Sequence, residues 1–235
     1  MNQSFSFPQS GAVTKVNSFI RSVYNWMGLG LGLTAVIAYY VSHSQTALQL
    51  VYSNPIVLPA LIIAELGFVF FLSARIQKIQ ASTATSLFLI YAILNGVTLS
   101  FVFLAYTATS IASTFVVCSV TFLACSIYGM VTKRDLTSMG GFLMMGLIGI
   151  IIASVVNMFL QSSGMAMVIS YVGVLVFVGL TAYDTQKLKT MAVTMPDNAS
   201  GAIVRKGAIM GALSLYLDFI NMFLMLLRIF GGSRD

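Results

Sequence analysis

The sequence predicts an all-α, polytopic membrane protein, and three observations carry that prediction. Only 8% of the 235 residues are charged, against about 25% in an ordinary soluble domain. Hydrophobic residues make up 58% of the chain, and its mean hydropathy is +0.95. The apolar residues also fall in long continuous runs rather than short alternating segments. Runs of about 20 residues form helices about 30 Å long, the thickness of a bilayer's hydrocarbon core. The charge content excludes a soluble globular enzyme, and the hydropathy excludes a disordered chain. The continuity of the runs argues against a β-barrel.

In chain order, residues 1–22 read as a polar N-terminal tail. The first span is Val23–Val41. It is too long for the apolar core of a signal peptide, and no small-residue cleavage site follows it. Six more spans are predicted: Pro55–Ala74, Ser86–Tyr106, Ile111–Val131, Met139–Leu160, Met165–Tyr183 and Ala208–Phe230. Short polar connectors separate them, the least marked being the four residues Thr107–Ser110. Residues 23–231 thus form one seven-helix domain, followed by a short C-terminal tail, 232–235. The GxxxG spacings Gly28–Gly32 and Gly207–Gly211 read as close helix packing.

The net charge of +6 does not indicate nucleic acid, because no basic stripe interleaved with aromatics is present. Ten of the twelve Lys and Arg residues fall in the tail or in alternate connectors: Lys15, Arg21, Arg75, Lys78, Lys133, Arg134, Lys187, Lys189, Arg205 and Lys206. Excess positive charge marks the cytoplasmic side. The N-terminus is therefore expected in the cytoplasm and the C-terminus outside, with Arg228 and Arg234 as the exceptions. Cys118 and Cys125 share one face of one helix, too far apart for a disulfide. No metal-binding cysteine motif is present, and His43 reads as a solvated loop residue.

Four ionisable residues, Glu65, Asp184, Asp218 and Arg228, remain inside or at the edge of apolar runs, with Arg75 at a helix end. An Asp at the centre of a span costs about 2.5–3.5 kcal/mol to insert, so such residues mark ion or proton pathways by default. Asp218 lies about 15 Å into the last helix, close to the midplane, with Asn221 at i+3 on the same face. Asp184 lies near the cytoplasmic end of the sixth span. The two carboxyls are able to meet between adjacent helices, where they share a proton and titrate as a unit. The alternative for Asp184 is an edge charge paired with Lys187. Glu65 and Arg228 are compatible in depth as an ion pair, the alternative being that Arg228 snorkels to the interface. Tyr183-Asp184 matches half of an intramembrane aspartyl protease signature, but the Gly-x-Gly-Asp half is absent. No HExxH, GxSxG or phosphate-binding loop occurs, so no enzyme is predicted.

Two segments, Gly179-Leu-Thr-Ala-Tyr-Asp-Thr-Gln-Lys-Leu-Lys and Leu213-Ser-Leu-Tyr-Leu-Asp-Phe-Ile-Asn-Met-Phe-Leu-Met-Leu-Leu-Arg-Ile-Phe-Gly, resemble the signature of the Bax inhibitor-1 family, the transmembrane Bax-inhibitor-motif proteins. The similarity extends over nearly the whole chain after the tail and is nearest to the family's bacterial inner-membrane branch. The resemblance implies seven helices with the last one at the centre of the other six, and a pH-dependent calcium leak. It implies that Asp184 and Asp218 are the proton-sharing pair and bind the passing calcium, and that Arg75 latches the closed state. It also implies the pairing of Glu65 with Arg228. Asn221, Tyr183 and Gln186 are expected as supporting polar groups. No cofactor is expected beyond calcium as cargo. The expected surroundings are the lipid bilayer of a bacterial inner membrane and membrane-protein partners. The alternative function is a non-conducting interaction protein that modulates membrane proteases or stress and cell-death responses.

Overall fold

The computed structural model describes residues 9–232, with side chains from Val13 onward. The first eight residues of the expected tail, and Arg234 with its neighbours at 233–235, lie outside the described residues. Among the described residues there are nine helical segments and no strand: α1 (Gln9–His43), α2 (Gln45–Tyr52), α3 (Val57–Arg75), α4 (Ala81–Thr98), α5 (Phe101–Ala105), α6 (Ala108–Val131), α7 (Thr137–Leu160), α8 (Ser163–Thr194) and α9 (Gly201–Phe230).

Six segments are long and apolar enough to cross a membrane, counting α4 and α5 together as Ala81–Ala105. The expected seventh, Val23–Val41, lies within α1, which falls short of that criterion. Asn25, Trp26, Gly28, Gly30, Gly32, Tyr39 and Tyr40 dilute its hydropathy. Residues 9–22 of the expected polar tail form the opening turns of α1. Val16, Phe19, Ile20, Val23 and Met27 recur at helical spacing and are buried against the bundle. Polar residues between them masked that stripe in the sequence.

The helix boundaries follow local hydrogen-bond chemistry. Thr107 accepts the Ser110 N–H at 3.2 Å, so the short Thr107–Ser110 connector does begin a new helix. Ser162 and Ser200 cap α8 and α9 in the same way. The expected helix Ser86–Tyr106 is interrupted after Thr98, where the Ser100 hydroxyl donates to the Val97 carbonyl at 2.7 Å and competes with the helical ladder. The Tyr52 hydroxyl of α2, a helix that occupies the expected polar connector Ser42–Asn54, meets Ser100 Oγ at 2.9 Å. Helix α8 has 32 residues and α9 has 30. At 1.5 Å per residue they run about 48 and 45 Å, well beyond the hydrocarbon core.

Helix α9 is the most buried span, packed against α1, α4, α6 and α8. Tyr216, Leu213, Leu215, Met222 and Leu227 on it are fully enclosed. Helix α3 packs mainly on α4 and α7 on α8, so the central helix is ringed chiefly by four neighbours rather than six. The periphery is apolar: Phe70, Phe142, Phe159 and Leu175 are each about 70% exposed or more, a surface suited to lipid. At the α6–α8 crossing a Cβ on Gly129 would lie 2.3 Å from the Ala182 carbonyl oxygen, so the approach requires glycine. Gly211 packs on Leu188 and Val23. Gly28 and Gly32, expected at a contact, face open space, and Gly30 makes the contact with Phe88 and Tyr216.

Candidate functional site

Asp184 and Asp218 come from consecutive helices packed along their length, α8 and α9. Asp218 is 5% exposed, and its Oδ2 has no hydrogen-bond partner. Asp184 is half-buried and faces both the Lys187 ammonium and the Ser214 hydroxyl, one turn before Asp218. It opens on a cleft of about 90 Å³ that Lys187, Met191, Met210 and Gly211 also line. Lys187 faces Asp184 without closing an ion pair; among the described residues the ion pair within 4.0 Å is Lys15–Asp197. No group of three or more His, Cys, Asp or Glu occurs among the described residues. Calcium takes six to eight oxygen ligands. Two carboxyls and one hydroxyl fall short of such a shell.

The remaining expected residues are dispersed. Arg75 ends α3 and is exposed, and no hydrogen bond or ion pair joins its side chain to either aspartate. Glu65 and Arg228 do not pair. Glu65 is buried between α3 and α4, where Thr98 Oγ1 donates to Oε1 at 2.5 Å and Asn95 Nδ2 donates to Oε2 at 3.4 Å. Arg228 lies on an exposed face of α9, lining a cleft of about 300 Å³ with Ser154, Asn157 and Asn221. The glutamate's needs are met by α4, and the arginine's long stem carries its charge outward. Asn221 donates to its own helix, at the Leu217 carbonyl (2.8 Å), and opens into the Arg228 cleft rather than toward the pair. Gln186 accepts the Leu136 N–H and donates to the Arg134 carbonyl, both at 2.8 Å, so it fastens the α6–α7 connector. Tyr183 lies against Gly140 of α7. His43, expected in a loop, is instead the exposed last residue of α1, its Nδ1 2.9 Å from the Tyr39 carbonyl; both cysteines are free.

Several buried polar groups carried no signal in the sequence because they are uncharged members of apolar runs. Asn95 Nδ2 also contacts the Tyr91 hydroxyl at 3.4 Å. Thr34 Oγ1 donates to the Ala92 carbonyl at 2.8 Å, so at its 2.7 Å contact with Tyr216 the phenol is the donor. This chain of groups joins α3, α4, α1 and α9 in the bundle interior. The one available cue was the i, i+3 spacing of Asn95 and Thr98, which puts both on one face. Ser214, four residues before Asp218, had the same kind of cue.

A family model described as "Inhibitor of apoptosis-promoting Bax1" matches residues 16–235, which include both aspartates and the whole of the helical bundle from Val16 onward. The chain belongs to the Bax inhibitor-1 family. It is 50% identical over 232 residues to the inner membrane protein YbhL of Escherichia coli K12, covering 97% of this chain and 99% of that one. An uncharacterized protein of Borreliella burgdorferi is 47% identical over 219 residues, covering 93% of this chain and 94% of its own. An uncharacterized membrane protein of Streptococcus pyogenes is 37% identical over 235 residues, covering 99% of this chain and all of its own. This Bax inhibitor-1 family chain is thus a multi-pass membrane protein similar over nearly its full length to an inner membrane protein.

At the ends of its helices, Lys15 of α1 pairs with Asp197, in the α8–α9 connector, at 2.8 Å and also donates to the Met195 carbonyl. The ammonium holds the Asp197 carboxyl below the usual carboxylate range. Asp135 is likewise held low, by hydrogen bonds from Thr137.

Proposed function

We propose that this protein is a passive, pH-gated cation leak with calcium as its cargo, and that Asp184 and Asp218 are its proton-sensitive element. The observation that carries this reading is the unpartnered carboxyl oxygen of Asp218, buried on the central helix that packs along the helix of Asp184. A buried carboxylate without compensation is costly and so must find a proton, a cation or a basic side chain. At low pH a shared proton neutralises the pair. At higher pH the pair is ionised and attracts a cation, with Lys187 beside it and Arg75 as the latch supplied by motion of α3. Exchange of these compensating groups shifts the population between closed and open bundles. The reading is of a transporter rather than an enzyme, with α1 completing seven transmembrane segments, the N-terminus in the cytoplasm and the C-terminus in the periplasm. The distribution of ten basic residues on one side supports that orientation.

The test is calcium flux into liposomes holding purified protein and a calcium-sensitive dye, measured at two pH values. Asp184→Asn and Asp218→Asn are each expected to abolish the pH dependence. PH-dependent flux that survives unchanged in both variants overturns the reading. Absence of flux from correctly folded wild type favours the interaction-protein alternative.

A further inference from the structure

A further cleft lies away from Asp218, at the far end of α8. It has a volume of about 810 Å³ and lies between the α6–α7 connector and the last turns of α8. Four cationic side chains line it, Lys133, Arg134, Lys187 and Lys189, against one carboxylate, Asp135. Helix α8 outruns the hydrocarbon core, so these turns stand where lipid headgroups begin.

The cleft is braced rather than a loose collection of surface charges. Gln186 holds the connector by two hydrogen bonds, to Leu136 N and to the Arg134 carbonyl. Lys189 Nζ donates to the Met130 carbonyl at 2.6 Å, tying α8 to the end of α6. Asp135 is occupied with the Thr137 N–H at 2.9 Å. The bracing uses the backbone of Arg134 but not its guanidinium. Lys133, Arg134 and Lys187 are therefore left exposed, without an ion pair, around a fixed frame. Met191 and Val193 add apolar wall, suited to the glycerol and upper acyl carbons of a lipid.

We infer that this cleft is a binding site for the phosphodiester headgroup of an acidic phospholipid. Arginine presents a planar fork that matches phosphate oxygens, and lysines add point charges. Basic pockets between transmembrane helices bind such headgroups, at about 1 kcal/mol per cation near the surface, which is about five-fold in affinity. The site shares Lys187 with the Asp184 cleft, but its test stands apart from the flux reading, since headgroup binding is measured without an ion gradient.

The test is native mass spectrometry of the full-length protein released from nanodiscs that mix phosphatidylglycerol and phosphatidylcholine. Wild type is expected to retain phosphatidylglycerol selectively. Lys133→Gln with Arg134→Gln is expected to lose retention, by about five-fold per cation removed. Lys15→Gln with Lys78→Gln, equal in charge change but outside the cleft, is expected to retain it. The single variant Lys187→Gln, on α8 rather than in the connector, gives a second reading if the double variant misfolds. Equal loss in the two double variants overturns the site, as does unchanged retention in the cleft variants. Displacement of the lipid by inorganic phosphate at equal concentration overturns its assignment to a lipid.

Discussion

Replacing Thr98 with valine tests the Glu65 site with almost no change of shape. The substitution removes one hydroxyl donor, which lies 2.5 Å from Glu65 Oε1. Asn95 Nδ2 remains at 3.4 Å, the outer limit of a hydrogen bond, and already touches Tyr91. Glu65 is 8% exposed, so water cannot readily replace the lost donor. In soluble proteins, leaving a buried polar group short of its partner costs about 1–3 kcal/mol. Within membranes, measured interhelical hydrogen bonds average about 0.6 kcal/mol and reach about 1.7, because the unfolded chain also finds partners in lipid. The short contact between α3 and α4 places this one near the upper membrane value. A loss of about 1–2 kcal/mol is therefore expected, roughly ten-fold in the unfolding constant. Unfolding in mixed micelles of wild type, Thr98→Val, Glu65→Gln and the double variant gives the coupling directly. A parallel cycle of Glu65→Gln with Arg228→Ala is expected to show no coupling. Additive losses in the first cycle, or a coupling above about 1 kcal/mol in the second, refute the assignment of Glu65 to α4 rather than to Arg228.

Gly129→Val is expected to cost roughly 1–3 kcal/mol by forcing α6 from α8, since the added carbon meets a backbone carbonyl. Gly28→Ala, which meets nothing, is expected to be silent in the same unfolding assay. The Lys15–Asp197 pair adds an acid-side step to stability. Because the folded carboxyl sits below its unfolded value, that contribution is present above the unfolded value and lost as pH falls through the lower folded one. Carboxyl NMR titration of Asp197 is expected to move upward in Lys15→Gln, and an unchanged midpoint contradicts the pairing. Gln186→Ala is expected to loosen residues 134–136, seen as faster amide exchange at Leu136, whose N–H loses its acceptor.

The spans were legible because lipid imposes one requirement over about 20 residues. The expected Ile111–Val131 and Met139–Leu160 lie within α6 and α7, whose apolar runs fill most of their length. Where a helix leaves the hydrocarbon, hydropathy stops reporting on it. Met165–Tyr183 therefore missed the last eleven residues of α8, and the tail concealed the start of α1. The same limit hid the basic cleft, because its residues served in the sequence only to set orientation. The aspartates were legible for the opposite reason, since a charge inside an apolar run conflicts with its surroundings. Ser214, an uncharged neighbour, conflicts with nothing and offered only its spacing from Asp218.

Satisfaction of hydrogen bonds separates the buried polar groups more sharply than burial does. Glu65, as deeply placed as Asp218 by exposure, is met by Thr98 and Asn95. Tyr216 is met by Thr34, and Ser126 meets Thr185 at 3.2 Å. These groups tie helices together, and their hydrogen-bonding needs are already met. Among the described residues three buried side-chain atoms lack partners, on Asn95, Thr114 and Asp218. Only the last belongs to a carboxyl, which can exchange a proton and carry a charge. Within one bundle the same residue class therefore does two jobs. A carboxyl whose partners are supplied by the neighbouring helix braces the fold, and the one whose partner is left out is the one on which the proposed gating rests.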